Sequence, residues 1–91
     1  MKVQVLGVER RTGVFKPKDR PGTEYNYDNL MLHEVHRSIK VTGNATGTVK
    51  LKMEEAAQLI AEVGGDPAAL VGKTVDFEFD RFGKVLDYQL L

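Results

Sequence analysis

Apolar and polar residues alternate over most of this chain, and the breaks in the alternation divide it into segments. The first runs from about Lys2 to Arg11, with Val3, Val5, Leu6 and Val8 as its apolar positions. A period near two is that of a strand, whose successive side chains point to opposite faces. Gly7 interrupts it, and a lone glycine in a strand marks a bulge or the kind of bend a small barrel needs to close. Thr12–Gly22 holds two prolines and two glycines and reads as an exposed loop or a long hairpin arm. A second strand is predicted from about Thr23 to Val35. It sets Tyr25, Tyr27, Asn29, Met31 and His33 on one face and Asn26, Asp28, Leu30, Leu32 and Glu34 on the other. If the leucines point inward, the two tyrosines point outward together. A third strand is expected over Ser38–Thr42, then a turn at Gly43–Gly47 and a return over Thr48–Lys52 with Val49 and Leu51 inward.

The period then changes. Ala56, Leu59, Ile60 and Val63 form a helical stripe, which predicts a helix over Glu54–Val63. Glu54 and Glu55 suit its positive first turn, and Gly64-Gly65 ends it. Asp66 as cap and Pro67 as first helical residue predict a short helical turn over 67–71, stopped by Gly72. Val75, Phe77 and Phe79 alternate with Asp76, Glu78 and Asp80, turn through Arg81-Phe82-Gly83-Lys84, and return over Val85–Leu91. The expected fold class is mainly β: one domain over residues 1–91, an OB-fold-like five-stranded barrel with a helix at about 54–63 and a helical turn at 67–71 before a C-terminal hairpin. An open α+β sheet with one covering helix is the alternative.

Ninety-one residues suffice for one core, and a chain of this size buries somewhat more than ~60% of its unfolded surface. With no cysteine, neither a disulfide framework nor a thiolate metal site can form. No apolar segment has the length of a membrane span or the pattern of a signal peptide, so the expectation is a cytoplasmic protein without membrane contact. Net charge is zero, yet residues 1–52 carry ten Lys/Arg against five Asp/Glu, and residues 53–91 carry three against eight. A polyanion responds to the local field of a basic face rather than to the total, because screening acts over ~8 Å. The alternative is that both charge blocks are solvated surface.

The candidate chemistry narrows the choice further. His33 and His36 face opposite ways on a strand, and His36 with Glu34 lacks the third ligand of a zinc site. Ser38, the only serine, has no glycine-framed elbow around it. No glycine-rich phosphate loop leads into a helix. These features predict neither enzyme, metal nor cofactor. Nonspecific recognition of a single strand needs cations along the phosphates and flat rings for the bases. Arg10, Arg11, Lys16, Lys18 and Arg20 offer the cations; Tyr25, Tyr27 and Phe15 offer the rings. Phe82, at a hairpin tip beside Arg81 and Lys84, is a further candidate. The tyrosines can equally be ordinary strand formers packed in a sheet. The helix lacks any Lys or Arg, which favours single strand over duplex, where a helix is commonly presented to a groove. A protein-interaction or regulatory module using an exposed strand edge is the competing class, and an RNA-binding OB module is a variant of the first.

The run Arg11-Thr12-Gly13-Val14-Phe15-Lys16, the loop ending at Gly22, the stretch Tyr25-Asn26-Tyr27-Asp28-Asn29 and the Phe82-Gly83 tip together resemble one family. It is that of the filamentous-phage (inovirus) single-stranded DNA-binding proteins of gene V, or helix-destabilising, type. The likeness is good over about the first 35 residues and loose over the terminal hairpin. The loop from Pro17 to Pro21 is longer than in well-known members, the helical region 54–72 is not typical of the shortest ones, and Gln89 stands where a basic contact would be sought. The resemblance implies a homodimeric OB-fold protein of the host cytoplasm that coats replication intermediates cooperatively and without chemistry. It also implies that Arg11 and Lys16 hold phosphates while Tyr25, Tyr27 and Phe82 meet bases.

Overall fold

Strand pairing extends further than the alternation suggests at one hairpin and is shifted at the next. A computed structural model describes all 91 residues, Met1–Leu91. Strand β1 spans Lys2–Phe15 and β2 spans Tyr25–Arg37, so of the two readings of Thr12–Gly22, loop or hairpin arm, Thr12–Phe15 takes the second and belongs to a long antiparallel ribbon. Two features explain the extension. The first proline comes only at Pro17, and Gly13 leaves room for the ring of its cross-strand partner Tyr27, which lies where a Cβ would stand. The bulge expected near Gly7 is present: the register with β2 slips between Val5 and Gly7, leaving Leu6 as the extra residue.

Strand β3 spans Asn44–Lys52, whereas Ser38–Thr42, expected to be a strand, forms the connection. Val41 N–H donates to the Ser38 carbonyl at 3.2 Å, and Gly43 takes φ +89, so the chain reverses there rather than at Gly43–Gly47. Gly47 is a strand residue because it faces Glu34, whose carboxylate fills the space of a Cβ. Helix α1, Met53–Glu62, follows directly, and Gly65 N–H closes its end on the Ile60 carbonyl at 2.9 Å. A 3-10 turn over Pro67–Leu70 has Asp66 as its cap, accepting from Ala68 N–H at 3.0 Å. Strands β4, Thr74–Phe79, and β5, Val85–Leu90, form the final hairpin.

All five strands lie in one antiparallel sheet of order β3-β2-β1-β4-β5. The sheet does not close into a barrel: no pairing joins β3 to β5. At that end α1 packs against β2, β3 and β5, and the Tyr88 hydroxyl of β5 donates to the Glu55 carbonyl at 2.6 Å. Strand β5 is thereby tied to the helix instead of to β3. The core lies between the inner sheet face and the helical segments: Val3, Val5, Leu30, Leu32, Val49, Leu51, Ala56, Leu59, Leu70, Val75 and Phe77 are all buried. Every residue from Glu9 to Asn29 lies outside that buried set, so the distal part of the β1–β2 ribbon projects as an arm. No helix is long and apolar enough to cross a membrane.

Candidate nucleic-acid interface

Register decides what the outer face of the sheet displays, because residues directly opposite one another across antiparallel strands share a face. Phe15 pairs with Tyr25 and Gly13 with Tyr27. Arg11 pairs with Asn29, which pairs in turn with Lys52; Glu9 pairs with Met31, which pairs with Lys50. Gly7, His33 and Thr48 form the next row. The alternate rows hold Leu30, Leu32 and Glu34 and face the core. One solvent face thus carries three aromatic rings at its distal end and the cations Arg11, Lys50 and Lys52 behind them. Phe15, Tyr25 and Tyr27 remain 58%, 46% and 43% exposed. Side chains two apart on a strand are separated by about 7 Å along the strand.

The ring of Tyr27 is held across the backbone of Gly13, while Tyr25 lies beside the β1–β2 loop and accepts from Arg20 Nη1 at 3.3 Å. That loop is built from two successive turns, Arg20 N–H to the Pro17 carbonyl at 3.3 Å and Thr23 N–H to the Arg20 carbonyl at 3.1 Å. Lys16 precedes the first of these turns and Lys18 lies within it, and both are exposed.

Three of the five cations of the arm are matched by carboxylates. Arg11 donates to both Glu9 oxygens, at 2.9 and 3.1 Å. His33 Nε2 donates to the same carboxylate at 3.1 Å, and its Nδ1 meets Thr48 Oγ1 at 3.4 Å. Those bonds, Arg11 first and His33 second, hold the Glu9 carboxyl below the usual carboxylate range and raise the Arg11 guanidinium. Arg10 makes a two-point pair with Asp28 at 2.9 and 2.6 Å, which lowers the Asp28 carboxyl and raises Arg10. Lys16 lies 3.2 Å from Glu24. Lys18, Lys50 and Lys52 have no carboxylate within salt-bridge distance.

The expected cluster is therefore divided. Arg11, Phe15, Tyr25 and Tyr27 share one face, and Lys16, Lys18 and Arg20 lie at or in the adjoining loop. Arg10 does not join them. It pairs with Leu30 and points to the opposite face, a consequence of strand alternation that separates neighbours such as Arg10 and Arg11. Phe82 sits apart, at the β4–β5 turn. Asp80 fixes that turn by accepting from Phe82 and Lys84 N–H at 2.8 and 2.9 Å, which leaves the Phe82 ring 81% exposed with the Arg81 guanidinium 4.9 Å from its centre. Lys50 and Lys52, which alternate with the inward Val49 and Leu51, join the aromatic face. Their outward direction was legible from Val49 and Leu51; their place opposite Met31 and Asn29 depends on a register the sequence does not disclose. His36 lies on the core side, where it donates to the buried Glu34 carboxylate at 2.8 Å.

No family model, no curated protein and no solved structure matches this chain.

Proposed function

We propose that this chain binds single-stranded nucleic acid, largely without sequence specificity, along the outer face of β1, β2 and β3. One observation carries the proposal: a single exposed sheet face presents Phe15, Tyr25 and Tyr27 together with Arg11, Lys50 and Lys52, against one carboxylate, Glu9. Rings stack unpaired bases and cations follow the phosphates, the combination that sequence-tolerant single-strand binding requires. The strand order, with a helix between the third and fourth strands, supports an OB-type barrel opened along the β3–β5 seam. In such barrels the face of the second and third strands and the loops joining strands one to two and four to five bind oligonucleotides. Here those parts hold the tyrosines, Lys50, Lys52, the Lys16–Arg20 loop and the Phe82 turn. DNA as the preferred polymer, a homodimeric state, a cytoplasmic setting and a role in coating phage replication intermediates rest on the resemblance to the filamentous-phage proteins.

The test is anisotropy of a labelled oligo-dT at several salt concentrations. Tyr27→Ala should weaken binding at unchanged salt slope, by roughly the 1–3 kcal/mol of one stacked base. Lys50→Ala with Lys52→Ala should flatten the slope by about 0.7 for each phosphate no longer neutralised. No binding at low salt would refute the proposal, and an equal titration with oligo-rU would move the assignment from DNA to single strands of either kind. The unpaired edges of β3 and β5 favour a second reading, strand addition by a protein partner. Broadening of β3 or β5 amide resonances by a partner peptide, with no shift on the aromatic face, would select it.

A further inference from the structure

Between the free edge of β3 and the β4–β5 turn lies a groove of about 550 Å³. Its size is that of a small-ligand site. Lys50 and Lys52 line it from β3 and Lys84 from the turn, Phe82 stands at its wall, and Glu55 reaches it from the first turn of α1. Lys50 and Lys52 also belong to the aromatic face, so groove and face are continuous across the β3 edge.

We infer that the bound single strand crosses this edge and lodges one nucleotide in the groove, where Glu55 favours a base bearing an exocyclic amine, so that cytosine is preferred to thymine. The inference rests on the proposed single-strand binding and adds a base preference to it. Charge sets the orientation of the nucleotide. Its phosphate belongs with the three lysines and is repelled by the carboxylates, so the base turns toward Glu55. Two carboxylates border the groove, and only one is free. Glu34 is buried and engages His36 Nδ1 through both oxygens, at 3.0 and 2.8 Å. The Glu55 carboxylate has no hydrogen bond or ion pair; only its backbone carbonyl is engaged, by Tyr88. An ionised carboxylate only accepts, so it matches the N4 amine of cytosine and meets the O4 acceptor of thymine unfavourably.

The experiment compares oligo-dC and oligo-dT of about sixteen nucleotides, near the upper site size of one such domain, by labelled-oligonucleotide anisotropy. The wild-type chain should bind oligo-dC about three- to tenfold more tightly, a share of what one base contact discriminates. Glu55→Gln should bring the two affinities together with an unchanged melting temperature, because an amide both donates and accepts. Lys84→Ala should lower both affinities in similar proportion and flatten both salt slopes by about 0.7. Equal wild-type affinities, or a cytosine preference that survives Glu55→Gln, would overturn the groove assignment while leaving the aromatic face intact. A wild-type chain that binds neither oligomer would overturn both.

Discussion

On the proposed interface the Glu9 carboxylate holds the Arg11 guanidinium that the proposal assigns to a phosphate. It engages Arg11 at two points and His33 at a third, so a polymer must compete with it for the cation. Glu9→Gln removes the only carboxylate of that face. Affinity for oligo-dT should rise and the salt slope steepen by about 0.7, as Arg11 becomes free for a phosphate. The melting temperature should hardly move, because exposed pairs contribute little to stability. Acid acts on the same pairs with a defined sign. Glu9 and Asp28 are both held below their ordinary values in the folded chain, so on acidification the unfolded chain takes up protons first. Whatever stability the two pairs add is complete above about pH 5 and is lost as pH falls through the folded-state values. In a pH series of thermal melts, Glu9→Gln and Asp28→Asn should coincide with wild type in acid, and the small difference that exposed pairs allow should arise only above about pH 5.

Among the elements, the β1–β2 ribbon carries the rings and the core carries the stability. A two-stranded ribbon is marginal in water on its own. Beyond Val8 and Leu30 this one is held by its backbone ladder out to Phe15 and Tyr25 and by Tyr27 lying across Gly13, the exposed Arg10–Asp28 and Lys16–Glu24 pairs adding little. Amides of residues 9–29 should exchange faster than those around Leu32 and Val75, and should gain protection when oligo-dT is added. Gly13→Ala separates ring placement from folding. The new Cβ collides with the Tyr27 ring, which must swing away, while the strand gains up to about 1 kcal/mol from losing a flexible glycine. Weaker oligo-dT binding with little change in melting temperature is expected. The alternation of β2 was legible in the sequence because its leucines and tyrosines are out of phase. The start of β3 was not: Gly43 and Gly47 look alike in the sequence, and only the buried Glu34 opposite Gly47 distinguishes a strand glycine from a turn glycine.

At the scale of the molecule, the arm makes the chain elongated. The radius of gyration is 14.9 Å, against about 12 Å for a compact domain of this length, and the extents are 46 × 34 × 20 Å. The division of charge along the sequence carries into space only in part. Lys50, Lys52 and Lys18 add free positive charge, but Arg10, Arg11 and Lys16 are matched locally by Asp28, Glu9 and Glu24. Such pairing across strands cannot be read from a count of charges. Barrel closure was likewise hidden, because it depends on whether the last strand meets β3 or, as here, is tied to α1 through Tyr88. Two of the three tyrosines lie on the proposed interface, and the third is half-buried on β5. With no tryptophan to mask them, their emission reports directly on that face. Titration with oligo-dT at low salt should quench most of the tyrosine emission and reach saturation, and Tyr25→Ala with Tyr27→Ala should abolish the response. Emission that stays constant while oligo-dT is added in excess would contradict the account.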